Sequence, residues 1–200
     1  PNVNSLGVFF KLYLPRDTQF GILFISRCSA NKCLVFNSAG GIDGKTLEVI
    51  YEDDGCNGGT AASAVSKLVN TDKVVAVLGG ACSGATLGAT PITEAAKIPQ
   101  LSYCSTSPVV SQAGDYIFRD VPSDFFQATF AADYLMKNCK KNVALLTSKD
   151  DWGEGLNKAF TDAFAKVGGV VVVTYSFDPT SKYLKAQLTG IKAKAPDAVY

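Results

Sequence analysis

Two stretches of small and hydroxyl-bearing residues each follow an apolar run and open a helix-like pattern. The first is Gly80-Ala81-Cys82-Ser83-Gly84-Ala85-Thr86, and the second is Ser102-Tyr103-Cys104-Ser105-Thr106-Ser107-Pro108. A helix start carries unpaired backbone N–H groups and the positive end of the helix dipole, and hydroxyls beside it add hydrogen-bonding groups. Two such loops on neighbouring strands predict one small-molecule site at the carboxyl edge of a sheet, suited to a carboxylate or a similar anion.

The residue types that many enzymes need are missing. The chain has no histidine, which excludes Ser-His-Asp and Cys-His catalysis and imidazole metal sites. Its six cysteines include no C-x-x-C spacing, and no dinucleotide, P-loop or G-x-S-x-G signature occurs. We therefore expect a protein that is not an enzyme and that has no catalytic residue, no metal and no cofactor. An α/β enzyme that uses Cys104 at a helix start is the less favoured alternative.

Composition and charge indicate an ordinary globular protein. The 200 residues are 47% hydrophobic, and 19 basic residues against 18 acidic ones give a net charge of +1. Because no basic stripe is visible, we expect no nucleic-acid partner. No apolar stretch reaches the roughly 20 residues that span a bilayer, so no membrane span is predicted. The opening Pro1-Asn2-Val3-Asn4, without an initiating Met, resembles a processed or engineered start.

Short β-rich runs alternate with longer helical patterns. We predict strands near residues 5–13, 46–53, 73–80, 99–103, 115–119, 142–148, 169–177 and 197–200. We predict helices near residues 22–37, 59–70, 85–97, 124–138, 152–167 and 180–194. The runs 74–78 and 143–146 are continuously apolar, which is typical of strands covered on both faces in a parallel sheet. The alternation predicts an α/β fold with parallel sheets flanked by helices.

The stretch Arg119-Asp120-Val121-Pro122-Ser123 interrupts this rhythm. Pro122 biases Val121 towards an extended backbone. We therefore place a boundary here, between an N-terminal lobe of residues 1–120 and part of a second lobe, residues 121–200. An ordinary strand-to-helix loop is the alternative.

The cysteines leave their pairing open. Cys56 and Cys82 each follow the carboxyl end of a predicted strand, so a disulfide is geometrically easy if those strands are neighbours. Two unrelated buried thiols are an equally good interpretation. Cys28 and Cys33 cannot pair within one helix, because five residues rise about 7.5 Å. We expect the other two cysteines, Cys104 and Cys139, to be small buried hydrophobic residues.

From Gln19 onward the chain resembles the type I periplasmic binding proteins, and most closely the leucine/isoleucine/valine receptors of ABC transporters. The order and spacing of seven landmarks carry the resemblance. They are Gln19-Phe20-Gly21, Asn37 to Lys45, Glu52 to Cys56, Cys82 to Thr86, Ser102 to Pro108, Arg119 to Asp124 and Asp151 to Leu156. The resemblance implies a two-lobed binder that closes on a small solute. Both lobes are expected to be incomplete, because family members are longer and their chain returns to the first lobe.

The resemblance also implies ligand-binding residues in the two loops. By position, Ser83 donates its hydroxyl to a ligand carboxylate. Cys104 and Ser105 contribute backbone groups, and Thr106 contributes its hydroxyl and its N–H. Capping of helices is the alternative role for Ser83 and Thr106, since Ser and Thr often occupy such positions.

Two aromatic residues and one cysteine pair complete the implied site. Phe20 matches an aromatic residue that walls the pocket, and Trp152 matches one that closes over it, although both could instead belong to the core. The resemblance also favours the Cys56–Cys82 disulfide, which the branched-chain receptors share.

The implied function is that of a receptor in the periplasm or another extracytoplasmic compartment. Its expected ligand is a branched-chain or aromatic amino acid, or a related carboxylate or amide. The expected protein partner is the membrane permease of an ABC transporter. A ligand-sensing ectodomain or regulator with the same fold is the alternative.

Overall fold

The computed structural model describes residues 37–200 and the backbone of an earlier strand, β1, Leu6–Leu12. Phe20, Cys28, Cys33 and nearly all of the helix predicted near residues 22–37 lie outside the described residues. The chain divides into two compact units. The first unit comprises Pro1–Ser105 and Ala113–Val121, and the second comprises Thr106–Gln112 and Pro122–Tyr200. The predicted lobe boundary after residue 120 stays a prediction.

The first unit contains a parallel sheet of three short strands in the order β3-β4-β5. These strands are β3 (Val77–Leu78), β4 (Gln100–Ser102) and β5 (Ile117–Arg119). The strand predicted near residues 73–80 is shorter than expected. Lys73, with φ of 56°, and Gly79, with φ of 150°, interrupt the extended backbone on either side of it.

One strand pair of the first unit is antiparallel. Strand β2 (Leu47–Asp53) pairs with β1 in a register that runs from Leu6 opposite Asp53 to Leu12 opposite Leu47. Every residue of the seven-residue β2 therefore has a partner on β1. Among the strand pairs that the structure describes, β2 pairs with β1 and not with β3. The condition under which the Cys56–Cys82 disulfide is geometrically easy, that the two preceding strands are parallel neighbours, is therefore not met.

Two helices of the first unit lie wholly within the described residues. Helix α1 (Gly58–Asn70) begins at Asn57, whose side chain accepts hydrogen bonds from the N–H groups of Gly59 and Thr60. Helix α2 (Ser83–Ala96) follows the loop after β3. The two helices and the strands bury one apolar cluster: Val65, Leu68, Val69, Val74, Val77 and Ala89.

The second unit contains a parallel sheet in the order β7-β6-β8, formed by β6 (Asn142–Ser148), β7 (Val170–Phe177) and β8 (Ala198–Val199). Its α-helices are α3 (Asp124–Lys137), α4 (Asp151–Lys166) and α5 (Lys185–Ala193), and a short 3-10 helix spans Pro108–Gln112. The core between α3, α4 and β6 consists of Ala128, Ala132, Val143, Leu145, Leu156, Ala159, Phe160, Ala163 and Phe164.

The other predicted elements of both units agree with the observed ones, with one late start. Helix α5 begins five residues after the predicted start because Asp178 forms a local turn, in which its Oδ1 accepts hydrogen bonds from the N–H and the hydroxyl of Thr180. Across the part of the chain that the structure describes, no helix combines the length and the apolar character that a bilayer crossing requires.

Candidate functional site

A cluster of buried hydroxyls lies where β3 and β4 end. The carbonyl oxygen of Gly80 lies 2.7 Å from Ser102 Oγ and 3.2 Å from both Ser105 Oγ and Thr86 Oγ1. Thr86 Oγ1 and Ser105 Oγ are 2.7 Å apart. All three hydroxyl residues are fully buried. The two hydroxyl-rich loops that the sequence singled out therefore meet at one backbone carbonyl.

The protons of this cluster can be counted. A carbonyl oxygen has two lone pairs, so it accepts two of the three hydroxyl hydrogens in good geometry. Ser102 donates one, and either Thr86 or Ser105 donates the other, while the remaining hydroxyl donates to its neighbour across the 2.7 Å contact. Ser102 Oγ in turn accepts the N–H of Ser105 at 3.0 Å. Every hydroxyl hydrogen thus has an acceptor, as buried polar groups require.

A buried glutamine extends the cluster beneath the loop. Gln100 Nε2 donates to the carbonyls of Gly79 at 3.3 Å and Thr86 at 3.1 Å. Its Oε1 accepts the hydroxyl of Thr93 at 2.8 Å. These bonds anchor the Gly79–Gly80 backbone and the first turns of α2. Sequence inspection did not single out Gln100, because one glutamine in a short strand carries no motif.

Ser83 is the first residue of α2, and it is buried. The first turn of α2 contains no acidic residue, although the buried carboxylate of Asp54 lies beside the loop that leads into it. Cys82, which precedes the helix, forms the expected disulfide with Cys56, with 5.3 Å between the two Cα atoms. The pairing is confirmed, and it ties the loop after β2 to the start of α2.

Asp54 is a buried carboxylate beside this loop that sequence analysis did not identify. Its Oδ1 accepts the N–H of Cys56 at 2.8 Å, whereas its Oδ2 is the one buried side-chain polar atom without a hydrogen-bond partner among the described residues. Burial raises the pKa of Asp54, and the backbone N–H groups of Cys56 and Ala81 partly oppose that effect. Burial also raises the pKa of Tyr103, with a smaller contribution from the charge of Asp54.

The structure corrects the expectation for the two unpaired cysteines that it describes. Cys104 and Cys139 are both exposed, not buried. Cys139 follows the end of α3 with a positive φ of 58°, outside the packed face of that helix. Cys104 lies in the loop after β4, where the buried positions belong to its neighbours Ser102 and Ser105.

In the second unit, Trp152 and Thr106 are hydrogen-bonded to each other. The indole Nε1–H of Trp152 donates to Thr106 Oγ1 at 3.1 Å. The Thr106 hydroxyl donates to Asp124 Oδ2 at 2.8 Å, and the Asp124 N–H donates to the Thr106 carbonyl at 2.8 Å. Trp152 is 42% exposed, so one part of its ring is fixed while another part stays accessible. This exposure does not fit the alternative that Trp152 is a buried core residue, and its role in ligand binding stays a prediction.

The predicted site residues thus fall into three groups. Ser105 belongs to the hydroxyl cluster, Ser83 lies beside the disulfide, and Thr106 contacts Trp152. Their roles in ligand binding stay predictions. In chemical terms the first unit offers the backbone N–H groups of a helix start, which is an arrangement for holding an anion.

The fold class follows from these observations. Parallel sheets flanked by helices, with hydroxyl-rich loops at strand ends, define an α/β fold of the type I periplasmic binding proteins. The chain belongs to the periplasmic binding protein family, whose profile matches residues 34–200.

Relatives with known names agree with this assignment. An amino acid binding protein of Pseudomonas aeruginosa is 33% identical over 166 residues, which are 82% of this chain and 44% of the relative. The Leu/Ile/Val-binding protein of Escherichia coli K12 is 30% identical over 82% of this chain and 45% of its own length. The chain therefore spans less than half the length of these relatives.

A solved structure gives the same result. The branched-chain amino acid transporter substrate binding protein LivJ of Streptococcus pneumoniae, in complex with isoleucine, is 34% identical with a TM-score of 0.69. The match covers 84% of this chain and 48% of the LivJ chain. These relatives are named as binding proteins, which agrees with the expectation that the chain is not an enzyme.

Proposed function

We propose that this protein is an extracytoplasmic, periplasmic solute receptor that binds a branched-chain or aromatic amino acid, or a related carboxylate, and delivers it to an ABC-transporter permease. The observation that carries the proposal is the loop at the start of α2, which presents Ser83 in a first turn without acidic residues. The relatives that bind leucine, isoleucine or valine support the ligand class. Their names also support the transport role.

Within the first unit, Ser83 is the proposed donor to the ligand carboxylate. The hydroxyl cluster at Gly80 supports it, because Thr86 and Ser105 fix the backbone that leads into α2. Backbone groups of Cys104 and Ser105 are the proposed neighbours of the ligand. A rigid loop of this kind loses little conformational entropy when it binds a solute.

Within the second unit, Thr106 and Trp152 are the proposed contacts. Because Trp152 already donates to Thr106, its ring is held in place and offers an accessible flat surface for an apolar ligand side chain. Phe20 is the proposed pocket wall from the sequence resemblance alone.

Titration calorimetry on the full chain tests the proposal. We would titrate leucine, isoleucine, valine, phenylalanine and benzoate in turn, and we expect one-to-one binding of at least one of them without chemical turnover. Ser83→Ala should weaken that binding about 10- to 100-fold, the equivalent of one charge-assisted hydrogen bond. Ser63→Ala is the matched control, because Ser63 is an exposed helix residue that bonds only to the Gly59 carbonyl within the described contacts. If Ser83→Ala and Ser63→Ala bound the ligand with equal affinity, Ser83 would not be part of the binding site.

A further inference from the structure

The buried carboxylate of Asp54 lies between the two loops that lead into the helices of the first unit. Asp54 is 1% exposed and directly follows β2. Its Oδ1 accepts the N–H of Cys56 in the loop after β2, and the N–H of Ala81 in the loop after β3 also acts to lower its pKa. The Cys56–Cys82 disulfide joins the same two loops. The carboxylate is therefore held in a fixed place beside the start of α2.

The second carboxylate oxygen of Asp54 lies near the first turn of α2. A Cβ atom at Gly80 would be 2.9 Å from Asp54 Oδ2 and 3.2 Å from the backbone nitrogen of Thr86, so Oδ2 and the helix start flank the same backbone position. Oδ2 is buried and has no hydrogen-bond partner among the described residues. Because the atom is enclosed, groups that pack on the outside of the unit cannot supply that partner.

No basic side chain compensates the charge of Asp54. Its pKa is shifted by burial, by two backbone N–H groups and by the charge of Asp53, its exposed neighbour on β2. Tyr103, after β4, is half-buried, and its raised pKa keeps the phenol uncharged; the nearby Cys104 contributes to that shift. The disulfide does not titrate, and the first turns of α1 and α2 contain no acidic residue. An ionised Asp54 therefore depends on backbone N–H groups and on the positive end of the α2 dipole.

A solute carboxylate at the start of α2 uses the same helix dipole. Two negative charges in one partly buried site repel each other, so ionisation of one opposes ionisation or binding of the other. We propose, as an extension of the proposed function on which this inference rests, that Asp54 is a specificity-determining residue of the carboxylate site, which binds a carboxylate most tightly when Asp54 is protonated. Asp54 acts through its charge, because the enclosed Oδ2 does not reach the solute.

The coupling between solute and proton is reciprocal. If a proton on Asp54 tightens binding of the solute, then the bound solute must tighten binding of the proton by the same factor. At a pH at which Asp54 is ionised in the free protein, the complex therefore takes up part of a proton from the buffer. Such uptake is a property that a merely structural role of Asp54 does not produce.

Calorimetric titration of the full chain with isoleucine, from about pH 4 to about pH 8, tests this proposal. We expect the dissociation constant to rise about 10-fold as Asp54 ionises, which corresponds to a difference of about one unit between its pKa values in the free and the bound protein. The same titration in buffers of different ionisation enthalpy should report proton uptake. Because this readout uses the parent chain, it does not depend on whether a variant folds.

Asp54→Asn removes the charge and keeps an oxygen that can accept the N–H of Cys56. At about pH 8 it should bind isoleucine about 10-fold more tightly than the parent chain does, and the change of affinity with pH should disappear. Asp53→Asn is the matched control, because Asp53 is the adjacent carboxylate but is exposed. It should keep the pH dependence of the parent chain, and thermal melting checks that both variants retain the fold.

The outcomes separate this inference from the function on which it rests. An affinity for isoleucine that does not change with pH, binding without proton uptake, or a folded Asp54→Asn variant that keeps the pH dependence of the parent chain would overturn the role of Asp54 alone. Failure of isoleucine to bind at any pH would overturn that role together with the proposed carboxylate site.

Discussion

The hydroxyl of Thr86 shows how single buried atoms hold the proposed binding loop. It bridges Gly80 in the loop and Ser105 after the next strand. Replacing Thr86 by Val keeps the shape of the side chain but removes one member of a fully bonded cluster. Buried hydroxyls without partners cost about 1–3 kcal/mol.

We therefore expect Thr86→Val to lower the free energy of unfolding by about 1–3 kcal/mol. Urea denaturation measures this change. Thr129→Val is the control, because Thr129 is also in a helix but is exposed and bonds only to the Phe125 carbonyl within the described contacts. If both substitutions changed the free energy of unfolding equally, the hydroxyl cluster at Gly80 would not stabilise the protein more than an exposed hydroxyl does.

Asp54 gives stability a predictable pH dependence. Because burial raises its pKa, the folded chain holds the Asp54 proton more tightly than the unfolded chain does. The contribution of Asp54 to stability is therefore fully present below the unfolded pKa of 3.8, and it is lost as the pH rises through the raised pKa. Asp54→Asn should remove this decline of the unfolding free energy with rising pH.

Denaturation at a series of pH values above 4 measures the slope of the unfolding free energy against pH. Asp162→Asn is the control with the opposite sign, because the hydrogen bond from Lys158 lowers the pKa of Asp162. Its contribution is lost as the pH falls from about 5 through the lowered pKa, so the dependence of the unfolding free energy on pH above 5 should not change in that variant. A slope that is the same in Asp54→Asn and in the parent chain would contradict the assignment.

At the scale of single residues, the sequence predicted best those features that a residue type indicates locally, such as a helix start. Ser83 was placed at a helix start, and the cysteine pair was favoured by the family resemblance. The unpaired Oδ2 of Asp54 could not be predicted, because it depends on which backbone surrounds the carboxylate after folding. The prediction that Cys104 and Cys139 are buried was wrong for a similar reason. Whether a loop residue is buried depends on its tertiary neighbours and not on its type.

At the scale of elements, the close contact between α1 and α2 depends on glycine. A Cβ atom at Gly88 would overlap the backbone of Gly58, which lies at the start of α1. Gly88→Ala would ordinarily stabilise a helix interior. Here we expect it to destabilise the protein by about 1–3 kcal/mol, because the two helices must move apart.

Thermal or urea unfolding of Gly88→Ala measures this cost. Gly59→Ala serves as the control, since a Cβ atom there would approach only the side-chain oxygen of Asn57, at 3.3 Å. If Gly88→Ala stabilised the protein as much as a helix-propensity gain predicts, the close packing of α1 on α2 would be wrong.

Elements with a strong apolar period were predicted well, and irregular ones were not. The stripe of α4 identified Leu156, Phe160 and Phe164 as residues that all prove to be buried. The short strand β3 and the late start of α5 depend on single backbone conformations, such as φ at Lys73 and the Asp178 turn. The antiparallel pairing of β1 with β2 is a tertiary choice that alternation of strands and helices does not encode.

At the scale of the whole molecule, the family assignment rests on the ordered landmarks that the sequence already contained. The class of fold could be predicted because six of the seven landmarks lie within residues 34–200, which the family profile matches. The identity of the ligand could not be predicted in the same way, since the chain spans less than half the length of its named relatives.

The proposed function requires that the start of α2 holds the carboxylate of an amino-acid-like solute. Calorimetric titration with isoleucine and with isoleucine amide, which lacks the carboxylate, tests it most directly. We predict that the full chain binds isoleucine at least about 10-fold more tightly than the amide, and that Ser83→Ala narrows the difference. Equal affinity for the two compounds, or a preference that Ser83→Ala leaves unchanged, would contradict the claim.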